Sequence, residues 1–184
     1  MPTRLILLDI DDVLSADRSI AACREFDEAS LPGYRVPIVG DSVALGLINR
    51  ACRICAAKVV VSSTWLAIAG PDYTLNWLTK NGLDAGNLLA SGPCVTYHPS
   101  RCDKLEAINQ WRVQNPAMPP DHIVIIDDNP DLFPIGHPLA ERQVIVDGED
   151  GLLLRHYREV IAKLGRTDRD AGVFGPLTFG PVDE

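Results

Sequence analysis

The apolar run Leu5-Ile6-Leu7-Leu8 ends in Asp9-Ile10-Asp11-Asp12, and a second, Ile123-Val124-Ile125-Ile126, ends in Asp127-Asp128. Extended backbone sends residues i and i+2 to the same side, so Asp9 and Asp11 are expected to project together from a strand end. Parallel sheets hold ligands at the carboxyl ends of their strands, which directs Asp9, Asp11, Asp127 and Asp128, with Asp12 beside them, toward one point. Two carboxylates about 4 Å apart repel by roughly 4 kcal/mol at an effective dielectric of about 20. Such a cluster must take up protons or a cation, and the pattern is read as a divalent metal site. Two further stations suit phosphoryl transfer. Val59-Val60-Val61 ends in Ser62-Ser63-Thr64-Trp65, and Lys104 opens a helical pattern. Hydroxyls and an ammonium are the groups that hold phosphoryl oxygens and balance their charge. Tandem serines at a strand end face opposite ways, which leaves the choice between Ser62 and Ser63 open by one register; Ser63 is the preferred contact.

The elements that must carry these groups follow from apolar periodicity. Strand-like runs recur at 5–8, 59–61, 88–90, 123–126 and 144–146, with helical patterns at about 41–57, 72–81, 103–114 and 151–164 between them. This alternation predicts an α/β fold, a doubly wound Rossmann-like parallel sheet of about five strands. Asp41, Asp72 and Asp103 are placed as helix N-caps, and Gly82 and Gly165 as stops. Residues 15–40 contain Pro32-Gly33, Pro37 and Gly40 without clear periodicity and read as a flap or small cap. One domain is expected over 1–165, followed by a Gly- and Pro-rich, loosely ordered tail over 166–184.

Composition narrows the classes. A chain of 184 residues suits one domain with a proper core. A net charge of −8 opposes an extended phosphate-tracking, nucleic-acid-binding surface, although Arg18, Arg24, Arg35 and Arg101 remain candidates for one wall of a cleft. The opening segment is too short in apolar residues for a secretory core, and no run approaches a membrane span; a soluble, cytoplasmic protein is expected. Five cysteines, with Cys52-Arg53-Ile54-Cys55 late in a helical pattern, read as buried thiols instead of a disulfide, zinc or redox framework. Trp65, Trp77 and Trp111 are assigned to packing, with base stacking by Trp65 the weaker reading.

The ordered set of a DxD strand end, a Ser/Thr strand end, a Lys and an acidic pair resembles the haloacid-dehalogenase-like (HAD) phosphohydrolases over residues 4–164. Ser62-Ser63-Thr64-Trp65, the Lys104 to Trp111 helix and the Gly151-Leu152 start are similar to the small HAD domains of RNA-repair proteins, the Swiss Army Knife type. The resemblance implies that Asp9 attacks phosphorus to form an aspartyl phosphate and that Asp11 carries the proton. It also implies that Ser62 or Ser63 and Lys104 hold the phosphate. Asp9, the backbone carbonyl of Asp11, Asp128 directly and Asp127 in support would ligate magnesium, since a hard ion bound by few carboxylates, phosphate and water fits Mg2+ better than zinc. Position 12, often Gly in relatives, is Asp12 here; Asp tolerates left-handed backbone better than most residues.

Other acid-rich patterns fit less well. An EF-hand loop from Asp9 requires Gly at position 14 and Glu at 20, where Leu14 and Ile20 stand. A phospho-receiver places its Lys after the phospho-accepting Asp, and Lys104 precedes Asp127. The function expected is Mg-dependent phosphomonoester hydrolysis. Its substrate is a nucleotide, a nucleic-acid end or a small phosphometabolite, and a metal- or phosphate-binding module without turnover is the alternative.

Overall fold

The computed structural model describes residues 3–22, 39–94 and 103–167. Strands β1 (Arg4–Leu8), β2 (Ala57–Val61), β3 (Ile123–Asp127) and β4 (Gln143–Ile145) form one parallel sheet in the order β2-β1-β3-β4. Helices α1 (Asp17–Ala22), α2 (Ser42–Cys55), α3 (Trp65–Ile68), α4 (Pro71–Lys80), α5 (Lys104–Gln114) and α6 (Leu154–Lys163) connect and cover it. Strand alternation divides the core into two layers. Ile6, Leu8, Val59, Val61, Val124 and Ile126 pack with Leu45 and Ile48 of α2 and Tyr157 and Ile161 of α6. The intervening Leu5, Leu7, Val60, Ile123 and Ile125 face Ile108 and Trp111 of α5 with Leu132 and Phe133. Apolar faces on both sides force helices onto both sides, and the doubly wound expectation holds.

The sheet has four strands, not about five. The run at 88–90 makes one bridge, Leu88 to Val59, with Leu89 N donating to Val59 O at 2.9 Å. A turn closed by Gly92 N on Leu89 O at 3.1 Å then interrupts the pairing, and the chain meets β2 again only through Cys94 N on Val61 O at 2.8 Å, so no continuous ladder forms. Helix ends differ in two places. Pro71 occupies the first position of α4, so Gly70 is its N-cap and Asp72 lies inside the first turn. At the last helix, Gly151 takes φ +65 in a turn closed by its N–H on Asp147 O at 2.7 Å, and α6 begins three residues later. A Cβ on Gly151 would stand 2.7 Å from the Cβ of Ala16, so glycine is required there both by backbone sign and by space. Asp103 caps α5 through Glu106 N at 3.0 Å, and Gly82 and Gly165 stand just beyond α4 and α6. Of the expected flap, α1 is described, and residues 23–38 lie outside the described residues, as does the tail from 168 onward. Among the described residues no helix is long and apolar enough to cross a membrane.

Asp41 ties α1 to α2. Its Oδ1 accepts from Val43 N at 2.8 Å and Ala44 N at 3.0 Å, while Oδ2 accepts from Arg18 at 2.5 Å and Ser19 Oγ at 3.2 Å. Burial pushes this carboxyl up, but the bonds from Ala44 N, Arg18 and Val43 N together hold it below the usual carboxylate range. Asp41→Ala is expected to cost about 1–2 kcal/mol of unfolding free energy, read from denaturant melts at neutral pH. A lowered folded pKa means the wild-type contribution is complete above the unfolded value of about 4 and is lost as pH falls through the folded value, so the two proteins should converge in acid.

Candidate active site

Register decides what meets at the top of the sheet. Leu8 pairs with both Val61 and Ile126, so three strands finish level, and the backbone bonds continue one step further through Asp9 N to Ile126 O at 3.0 Å and Ser62 N to Leu8 O at 2.8 Å. Asp9, Ser62 and Asp127 each follow by two residues a side chain that faces α5, namely Leu7, Val60 and Ile125. Alternation therefore aims all three at the α5 side. Lys104, the first residue of α5, stands there with Asp103 as its cap.

The Lys104 ammonium donates to Asp9 Oδ2 and, at 2.8 Å, to Asp127 Oδ2. Ile10 N donates to Asp9 Oδ1 at 2.8 Å, and Asn129 N to Asp127 Oδ1 at 3.0 Å. Asp9, Asp127 and Asp128 each offer a carboxylate oxygen within 4.8 Å of the others. Asp127 is held by two donors, whereas half-buried Asp128 has no hydrogen bond among the described residues. Beyond Asp9 the chain turns on Ile10 O, which accepts from Leu14 N at 2.8 Å and Ser15 N at 3.1 Å. Asp12 occupies the left-handed position of this turn, φ +56, with its Cβ where a Cβ on Gly148 would come within 3.0 Å. The turn thus forms with Asp at this left-handed position, and Asp12 stands exposed beside the cluster. Asp11, half-buried, lies outside the trio of oxygens; its Oδ1 accepts from the indole Nε1 of Trp65 at 2.7 Å.

Ser62 and Ser63 are both buried, and with Thr64, Cys94 and Lys104 they line a small cleft. Among the described residues the Ser62 hydroxyl has no hydrogen-bond partner. The Ser63 hydroxyl accepts weakly from Trp65 N at 3.4 Å.

A family model described as the HAD domain in Swiss Army Knife RNA repair proteins matches residues 5–157. The chain belongs to this HAD family. No match was found among curated proteins or among solved structures. Membership supports a function of phosphohydrolase type, with which the acidic trio is compatible.

Electrostatics in the HAD domain follow burial more than neighbouring charge. Burial lifts the Asp9 carboxyl to about 7, against the attraction of Lys104 and with the help of Asp127. Asp127 is also raised, by burial first, with Lys104 opposing. Burial raises Asp11 too, and the Trp65 hydrogen bond and Lys104 oppose it; the push from Asp128 is the smallest contribution. Burial lowers Lys104, yet Asp9 and Asp127 outweigh it and the ammonium is raised. These two carboxylates also offset the mild penalty of a cation in the first turn of α5.

The HAD domain's donor set fits magnesium. Three carboxylates of hard oxygen face one ammonium, leaving negative charge that a divalent cation would balance, and the nearby thiol of Cys94 is buried and pushed up to about 12. Cys52 and Cys55, on the inner face of α2, are buried in the core, and burial pushes Cys52 up to about 12 as well; these three thiols are buried as read, and Cys23 and Cys102 lie outside the described residues. Arg18 faces Asp41 and the carbonyl of Leu152 at 3.3 Å, so it is engaged in holding α1, while Arg24, Arg35 and Arg101 lie outside the described residues. Trp65 is 0% exposed and stacks edge-to-face on Trp77 with ring centroids 4.9 Å apart, a packing role that leaves no face for a base. Its bond to Asp11 went unread in the sequence, where 54 residues separate the partners and no local spacing signals the contact.

Proposed function

We propose that this HAD domain hydrolyses phosphomonoesters through an aspartyl phosphate on Asp9, with magnesium as cofactor. The observation that carries the reading is the clustering of Asp9, Asp127 and Asp128 at the adjacent ends of β1 and β3, with Lys104 bound to the first two. Asp9 attacks phosphorus, forming a phosphorus–oxygen bond as the ester bond breaks, and Asp11 delivers a proton to the departing oxygen. Water then attacks the aspartyl phosphate, Asp11 takes its proton, and inorganic phosphate leaves with Asp9 restored. Magnesium, held by Asp9, Asp128 and the carbonyl of Asp11 with Asp127 in support, would supply the charge that lets a carboxylate approach a phosphate dianion.

Lys104 balances charge on the equatorial oxygens. We assign the hydroxyl contact to Ser62 in place of the Ser63 preferred from sequence, because Ser62 lies on the same strand face as Asp9 and Asp127 and its buried hydroxyl lacks a partner among the described residues. Ser63 would serve the site through its backbone. The substrate class we propose is the phosphate at a nucleic-acid end, from the family's occurrence in RNA repair proteins. A net charge of −8 favours recognition of an end over tracking of a strand.

Hydrolysis of a panel containing nucleotides, small phosphometabolites and 3′- and 5′-phosphorylated oligonucleotides, with Mg2+ and with chelator, tests this reading. Phosphate release from an oligonucleotide end, abolished by chelator, is the expected result. Release from small esters alone would overturn the substrate class, and release from none would overturn the enzyme and favour a binding module.

A further inference from the structure

We propose that Trp65 is a positioning residue for Asp11, fixing which carboxylate oxygen carries the proton. This rests on the reading of Asp11 as proton carrier. An indole N–H donates and has no acceptor, so the bond from Nε1 at 2.7 Å reserves Asp11 Oδ1 as an acceptor and leaves Oδ2 as the oxygen that holds the proton and meets the departing group. The indole is itself held. Trp65 is 0% exposed, its ring abuts Trp77 at 4.9 Å and 69°, and its carbonyl accepts from Ala69 N at 2.8 Å to close α3. Asp11, by contrast, lies in a turn outside the sheet and has no other side-chain hydrogen bond among the described residues.

Position in the chain gives this contact a second consequence. Residues 62–65 run from the end of β2 directly into α3, so one short segment carries both the hydroxyl proposed to hold phosphate and the indole that orients the acid. The spacing between phosphate and proton donor is then set by a single rigid turn.

The test compares kcat/KM of wild type and Trp65→Phe, both loaded with Mg2+, on 4-nitrophenyl phosphate and on an unactivated alkyl phosphate. Phe keeps the ring packing and removes the N–H. A nitrophenolate departs with little help from an acid, whereas an alkoxide requires the proton, so the loss is expected to be about tenfold larger on the alkyl ester, a fraction of the full value of general acid catalysis. KM should change little. Equal losses on both esters, or none, would overturn the proposal as mere packing. Should Trp65→Phe fail to fold, the indole N–H resonance of Trp65 in the wild-type protein is read against Asp11→Ala: a shift of that signal supports the contact, and an unmoved signal overturns it. Should wild type cleave oligonucleotide ends but neither ester, the same indole resonance decides; wild type inactive on both esters and on every oligonucleotide end would mean instead that the proposed function has failed, and the role of Trp65 in proton transfer would fall with it.

Discussion

Asp9→Asn is expected to reduce phosphomonoester hydrolysis by at least about 10⁴-fold, to below detection, because an amide cannot form the acyl phosphate on which both half-reactions depend. Asp11→Asn should cost about 10²–10⁴-fold, the usual worth of a positioned acid and base. The two variants are expected to differ in what accumulates. With an activated ester, Asp11→Asn still permits departure of the leaving group but slows attack by water, so acid quenching should trap a hydroxylamine-labile phosphoenzyme; Asp9→Asn should trap none. Both substitutions preserve size, and Asn at position 9 still accepts from Ile10 N, so thermal melts should show folded proteins. Wild-type rates in both variants on every cleaved ester would remove the nucleophile and the proton carrier together.

The parts of this site legible in the sequence are those fixed by strand ends. An apolar run that stops at a carboxylate states both the strand and the end of it at which the acid emerges, which is why Asp9 and Asp127 meet at one end of the sheet, where Lys104 bonds both. Which of Ser62 and Ser63 shares a face with Asp9 required the register of β2 against β1, since sequence alone does not say whether Leu7 or Leu8 faces α5. The segment 88–90 misled because apolar content cannot distinguish a ladder from one bridge followed by a turn at Gly92. Asp72 misled for a different reason: Pro71 already fits the first helical position, which moves the cap back to Gly70. Trp65 was legible as a buried aromatic, but its donor meets Asp11 only because β1 and β2 lie side by side.

Lys104→Met is expected to show whether the cluster is a cation site, because the substitution keeps the length of the side chain and removes the charge. Asp9 and Asp127 are 4% and 0% exposed as side chains, and removal of one partner of a buried ion pair costs about 3–5 kcal/mol. The cost should depend on pH. Burial raises the Asp9 carboxyl in the folded protein from its ordinary 3.8 to about 7, so the folded state holds more protons between these values and its stability falls as pH rises through them. Lys104 opposes that rise; without it the carboxyls should shift further up and the penalty should grow toward alkaline pH. Denaturant melts are therefore expected to place the variant far below wild type at pH 8 and much nearer to it at pH 5, below the raised value of Asp9, where that carboxyl is protonated and needs no counter-charge. Mg2+ added at pH 8 should recover part of the loss, since a divalent ion on Asp9, Asp127 and Asp128 supplies the charge that the ammonium did. A deficit indifferent to both pH and Mg2+ would mean that Lys104 matters only through packing, and the trio would then have no claim to a metal.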